Sequence, residues 1–309
     1  MAPFPRRRFL ELTLVSAGAV LGPIACGSEA DARDSDADRV FPQSLASGDP
    51  RPTSVVLWTR AVDSERPEAD LTLSLELATD EAFTQLVSLD GQASRSLSAL
   101  AAFDHCVKTR VDGLQPGTEY FYRFSYHSVG ARVTTRIGRT KTAPSEDADV
   151  SVRFAVVSCQ DYAGKYFHAY RKLATLDVDV IVHLGDYVYE TTADPSFQVA
   201  DPARQVSFGK PEQAISRGNG NYRAAQSLDN YRDLYRLYRA DPDLQFVHER
   251  FPMIAIQDDH EFSDDCHGDV STYEDGRVDE TNSARRLAAD QAWFEYMPVD
   301  LSQAPTQDW

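Results

Sequence analysis

From Phe41 to about Ala143 apolar and polar residues alternate with a period of two, in short runs parted by turn residues. Ser54-Val55-Val56-Leu57-Trp58-Thr59-Arg60 and Leu71-Thr72-Leu73-Ser74-Leu75-Glu76-Leu77 are two such runs. Successive side chains of a strand point to opposite faces, so this pattern at this spacing predicts an antiparallel β-sandwich, with Trp58 inside it. The grammar changes at Ser151. Residues 152–158 form a nearly continuous apolar and β-branched run, as parallel strands buried on both faces do. Residues 162–176 carry Phe167, Tyr170, Leu173 and Ala174 at helical spacing, and 178–184 reads as a second strand, which completes a βαβ unit. An aperiodic excursion over 191–226 follows, long enough to be functional or mobile. Ser227 is then placed to cap a helix with Tyr231, Leu234, Tyr235 and Tyr238 on one face. Residues 252–256 predict a third buried strand, and 283–297 a last helix closed by Pro298. The expected fold is multidomain: a β-sandwich over 41–143, then an α/β domain over 151–309.

The chain before Phe41 follows different rules. Arg6-Arg7-Arg8-Phe9-Leu10 precedes an apolar run from Leu14 to Ala25 that is too short for a bilayer, which takes about 20 apolar residues, so no transmembrane span is expected. Residues 1–30 resemble a twin-arginine export signal. This implies the twin-arginine machinery as a partner and an exported, periplasmic or extracellular protein. Cys26 closes the apolar run and is a candidate for lipid attachment, although Pro23 stands where such signals usually carry Leu. Residues 31–40, within a stretch rich in Ser, Ala and Asp, read as a linker. Charge narrows the partners further: a net charge of -17 repels nucleic acid and anionic membranes, so neither is an expected ligand. Four scattered cysteines without a CxxC spacing exclude a disulfide scaffold or zinc knuckle.

Ligands of open α/β sheets bind beyond the carboxyl ends of the strands. Here three predicted strands end in residues able to hold metals: Ser158-Cys159-Gln160, Gly185-Asp186-Tyr187-Val188-Tyr189-Glu190 and Asp258-Asp259-His260-Glu261. Each block alone is commonplace. Their convergence on one sheet edge points to a metal site, and no GxSxG elbow is present to suggest a serine nucleophile. His183, inside a strand, reads as a core residue. Arg232, Arg236 and Arg239 are candidate phosphate-binding cations, and Cys266 and His267 read as part of a solvated acidic loop.

These three blocks resemble the signature blocks of the alkaline phosphatase D (PhoD) family. Ser44-Leu45-Ala46-Ser47-Gly48-Asp49-Pro50, Leu57-Trp58-Thr59-Arg60 and Ala292-Trp293-Phe294-Glu295-Tyr296-Met297-Pro298 extend the likeness to most of the chain. The resemblance implies a fibronectin III-like front domain, with Tyr120 as its corner tyrosine, before a calcineurin-like metallophosphoesterase domain. It implies that Cys159, Asp186 and Tyr189 hold a ferric ion (Fe3+), that Asp186 also touches calcium (Ca2+), and that Asp259 is a further metal ligand. His260 then acts as acid or phosphate contact, and Glu261 orients His260 or a ligand. Asp259 stands where the wider superfamily carries Asn, which adds negative charge at the metals. The expected activity is hydrolysis of small phosphate esters, as an alkaline phosphatase or phosphodiesterase that scavenges phosphate. Phospholipid or teichoic-acid-type diesters, and an inactive secreted binding module, are the alternatives. The family's later Gly-Asp-x-His block does not occur after Met297, so the resemblance also implies a C-terminally truncated chain.

Overall fold

The computed structural model describes residues 35–128, 131–217, 221–271 and 280–300. Residues 1–30, read above as resembling an export signal, and Cys26 among them lie outside the described residues. The described residues all fall in one compact unit. It starts earlier than the sequence suggests. Part of the expected linker is a helix, α1 (Ser35–Val40), and Ala37 and Val40 are buried.

The front half supplies eight strands: β1 (Leu45–Arg51), β2 (Ser54–Arg60), β3 (Leu71–Ala78), β4 (Arg95–Ala99), β5 (Cys106–Asp112), β6 (Glu119–Ser128), β7 (Ala131–Thr134) and β8 (Gly138–Lys141). One antiparallel sheet runs β4-β3-β6-β7, with β8 also paired to β6. The other three strands do something the sequence pattern conceals. They continue into the α/β half, whose elements are β9 (Phe154–Val157), α2 (His168–Leu173), β10 (Val180–His183), the short strands β11 (Thr191–Thr192), β12 (Ile215–Ser216) and β13 (Arg223–Ala224), α3 (Leu228–Tyr238), α4 (Pro242–Arg250), β14 (Pro252–Ala255) and α5 (Ser283–Tyr296). A single six-stranded sheet runs β5-β2-β1-β14-β10-β9, and β1 pairs β14 in parallel at Ser47↔Pro252 and Gly48↔Met253. The separate sandwich expected over 41–143 therefore shares its strands with the second half.

β2 joins the two halves energetically as well. It is buried along its whole length, and its alternation is split between two cores. Val55 and Leu57 enter a cluster with Leu73, Leu75, Tyr122 and Phe124, whereas Trp58 enters the cluster of Tyr231, Leu234, Tyr235 and Tyr296. The indole N–H of Trp58 donates to the Glu295 carbonyl at 2.8 Å. Trp58 is thus core, but on the α/β side.

The helices follow from local chemistry. Ser227 and Asn230 form a reciprocal capping box on α3, whose four predicted inward residues are fully buried. α4 escapes the sequence reading: Asp241 caps it by accepting from Asp243 N and Leu244 N, with Pro242 in its first turn. The helix predicted over 162–176 shrinks to α2. Asp161 accepts the N–H of Ala163, Lys165 N closes a turn on Tyr162, and Gly164 takes a left-handed φ of +67° against Val199, so the chain before His168 turns instead of coiling.

One more expectation changes. Residues 152–158 suggest a strand buried on both faces, yet β9 lies at the sheet edge and only Ala155 and Val157 pack on the core. On the opposite face Phe154 is 61% exposed, Val156 54% and Ile254 41%, with Leu184 and Ile256 also exposed. Among the described residues no helix is long and apolar enough to cross a membrane.

Candidate metal centre

The loops after β9, β10 and β14 meet beyond the carboxyl edge of the sheet. Gly185 lets them do so. Its φ is +98°, and a Cβ there would fall 2.5 Å from both Cβ and N of Asp258, so a side chain is excluded by conformation and by space. Cys159 and Asp186 both hold φ of 55°, a left-handed conformation that costs a non-glycine residue about 1–2 kcal/mol. The cost is met by bonds between the two loops, Cys159 N to Gly185 O at 3.2 Å and Gln160 N to Asp186 O at 3.0 Å.

Glu261 fastens the third loop to the second. Its buried carboxylate accepts from Tyr187 N at 2.6 Å, Asp258 N at 2.8 Å and Asp186 N at 3.1 Å. Burial still pushes this carboxyl up to about 7 against those three bonds. Glu261 therefore holds the backbone beside Asp186; orientation of His260 falls to Glu190. That residue is fully buried. Its Oε2 lies 2.8 Å from His260 Nδ1, and its Oε1 accepts from Asp264 N at 2.9 Å. On the other side of the ring Nε2 lies 3.5 Å from Asp264 Oδ1. Burial alone would lower the His260 pKa, but Glu190, Asp186 and Asp259 outweigh it and hold it up at about 9.

The five residues singled out in the sequence come together. Asp186, Asp259 and His260 each offer a ligand atom, all within 4.8 Å of one another. Cys159 lies close enough to the Asp186 carboxylate to favour its charged form, and Tyr189 Oη donates to Asp186 Oδ2 at 3.3 Å. The Tyr189 ring lies 4.1 Å from the His260 ring, centroid to centroid. A second group, Asp259, Asp264 and Asp265, also offers ligand atoms within 4.8 Å of one another. Cys266 sits nearer than expected, its thiol donating to the Asp259 carbonyl at 3.7 Å.

Charge in this cluster does not balance. Burial raises the Asp186 pKa, and although His260 and Cys159 oppose this, Asp259 and Asp258 add to it. Asp264 is pushed up to about 6 by burial, against His260. A sulfur, a phenol, an imidazole and several hard oxygens beside one another suit a highly charged iron and an oxygen-seeking divalent cation. The candidate arginines do not reach this place. Arg232 pairs with Glu295, Arg236 with Asp104, and Arg239 stacks 3.7 Å from the Trp58 ring and donates to Tyr296 O. His183 is buried as expected, with Nδ1 accepting from Gly185 N at 3.3 Å and its pKa lowered by burial to about 4.

Two contributors carried too little sequence signal. Glu190 closes the second block but has no spacing that announces a histidine partner 70 residues away. Phe197 belongs to the aperiodic excursion, yet its ring lies 6.0 Å from that of His260.

The chain is similar to known proteins over most of its length. Residues 154–308 match the PhoD-like phosphatase model and residues 27–144 match the PhoD-like phosphatase N-terminal domain. The alkaline phosphatase D of Bacillus subtilis (strain 168) is 32% identical over 98% of this chain and 49% of its own length. A solved structure of PhoD superposes with a TM-score of 0.70 at 31% identity, over 87% of this chain and 48% of that one. A purple acid phosphatase from yellow lupin (Lupinus luteus) aligns at a TM-score of 0.48 and 12% identity, over 83% of this chain and 40% of that one. The chain spans about half the length of the relatives it matches. By the two family models and the shared fold, it belongs to the PhoD-like phosphatase family.

Proposed function

We propose that the chain hydrolyses phosphate esters at the cluster of Asp186, Asp259 and His260, as an exported alkaline phosphatase or phosphodiesterase. The observation that carries the reading is the imbalance of charge there: several half-buried carboxylates face one imidazole, which is the condition of a site built for cations. Cys159, Asp186 and Tyr189 would hold a ferric ion, and Asp186 with Asp259 a calcium ion. When bound, such ions supply positive charge against the phosphoryl oxygens and lower the pKa of water.

The protein's own residues supply the rest. Glu190 accepts from Nδ1 of His260 and, with the nearby carboxylates, keeps the ring as the imidazolium, whose second proton, on Nε2, can go to a departing alkoxide and leave the neutral imidazole. Asp264 Oδ1 lies 3.5 Å from Nε2 and helps hold that edge of the ring, and Glu261 fixes the distance between the Asp186 and Asp258 loops. Export follows in this reading from the arginine pair and apolar run of the first thirty residues. A fibronectin III-like character of the front half is supported by Tyr120, whose Oη accepts the N–H of Gln115 at 2.9 Å as a corner tyrosine does.

The test is hydrolysis of p-nitrophenyl phosphate and its bis-ester at alkaline pH by the protein loaded with iron and calcium. Asp186→Ala should lower turnover about 10³-fold or more. Undiminished turnover in that variant would remove the cluster from the chemistry, and turnover that survives loss of iron would remove the iron assignment alone.

A further inference from the structure

We infer that Phe197 is the residue that selects the alcohol half of the ester, favouring flat, apolar alcohols. The inference rests on the phosphoesterase reading above. An alkoxide protonated by His260 has to leave beside that ring, so the side chains that border His260 also border the leaving group. Phe197 is one of them, together with Tyr189. Its ring lies 6.0 Å from the His260 ring and 5.7 Å from the Tyr189 ring, and it is partly buried, between the buried Asp194 and Gln198 that anchor its turn.

The segment that carries Phe197 is a built wall. Asp194 Oδ1 accepts from Ser196 N at 2.8 Å and from Ser196 Oγ at 2.6 Å, and Gln198 N closes the turn on Asp194 O at 2.9 Å. The Gln198 side chain then ties the turn down on both sides. Its Nε2 donates to Thr191 O at 3.1 Å, next to Glu190, and to Asp161 Oδ1 at 3.3 Å, two residues after Cys159. Tyr222, from the far end of the excursion, holds Asp194 Oδ2. A partly exposed aromatic ring on so constrained a turn has little freedom to lose when a second ring stacks on it, and the stacking removes its remaining apolar surface from water. Lys165, 5.7 Å from the Phe197 ring and paired with Asp161, borders the outer side of the wall with positive charge.

The experiment compares Phe197→Ala, Phe197→Leu and the parent protein, each with iron and calcium bound. Binding of phenylphosphonate and methylphosphonate is measured by calorimetry, and hydrolysis of phenyl phosphate and glycerol phosphate by phosphate release. The parent should bind phenylphosphonate more tightly than methylphosphonate. Phe197→Ala should weaken phenylphosphonate and raise KM for phenyl phosphate about five- to tenfold while leaving methylphosphonate and glycerol phosphate within about twofold, with Phe197→Leu in between. Equal effects on both members of each pair, or none on either, overturn the inference. Phosphonate binding without hydrolysis of any ester by the parent overturns the phosphoesterase reading instead, and the ratio of the two phosphonate affinities still decides the role of Phe197.

Discussion

Asp104 and Asp186 are both buried carboxylates at the centre of charged clusters, and they are opposites. Around Asp104 the charges close on themselves. Arg60 donates to it at 2.9 Å from Nη2, Arg236 at 2.7 Å, and Tyr296 Oη also bonds it. Burial would raise its pKa, but the two guanidinium groups win and hold it well below the usual carboxylate range. Around Asp186 the neighbours are further carboxylates and one histidine, and its pKa moves up. Equal burial thus has two outcomes. Where arginines surround the acid, the cluster fastens β2 to α3 and α5; where acids surround it, like charges stay uncompensated, which is the condition on which the proposed cation site rests.

The largest effects should come from truncating the two acids. In the metal-loaded protein Asp186→Ala abolishes turnover, but in the metal-free protein it leaves thermal stability unchanged or raises it, because it removes like-charge repulsion. Asp104→Ala should do the reverse. It strands two arginines, costs about 3–5 kcal/mol in urea unfolding, and leaves turnover per folded molecule intact. If both variants lose stability alike in the absence of metal, the contrast fails.

Next in size are the residues around the imidazole. His260→Ala is expected to lower kcat about 10²–10⁴-fold. Glu190→Ala should lower it about 10–100-fold, with Glu190→Gln intermediate since it still fixes the ring but no longer stabilises its charge. An unaltered kcat in Glu190→Ala would mean that the 2.8 Å contact merely packs.

Smaller, and opposite in sign between the clusters, are the effects of pH on stability. The folded pKa of Asp104 is depressed, so its contribution is complete above the ordinary carboxylate range and is lost as pH falls through the folded value. Glu261 is raised from 4.5 to about 7, so its cost is absent below 4.5, grows as pH rises from 4.5 to 7 and is complete above that. Metal-free protein should therefore be most stable near about pH 4 to 5 and lose stability as pH rises through 7. Thermal melts that stay flat from pH 5 to 9 would show that Glu261 is not strained by its burial.

Much of this was legible in the sequence, for identifiable reasons. Strands such as β2 and β3 and the inward face of α3 follow from local periodicity, and the three polar blocks announce themselves because each follows an apolar run. What the sequence hides is pairing at a distance. Nothing local says that Ser47 will lie beside Pro252, or that the two halves will share one sheet. Nor does it say which of two glutamates will reach His260, since Glu190 and Glu261 look alike until the loops are placed. The exposure of Phe154 is hidden for the same reason: an apolar run states a preference for burial, not whether a neighbour arrives to satisfy it.

That bare sheet face has a colloidal consequence. A net charge of -17 keeps copies of the chain apart in dilute buffer, but this repulsion reaches only about 10 Å at 0.1 M salt and about 3 Å at 1 M. The attraction between patches formed by Phe154, Val156, Ile254 and Ile256 is not screened and strengthens with excluded salts such as sulfate. The smallest effect expected is therefore a drift to larger particles in light scattering as salt rises, relieved by Phe154→Lys with Ile254→Glu. The protein keeps its own company according to the ionic strength around it, sociable in brine and solitary in fresh water.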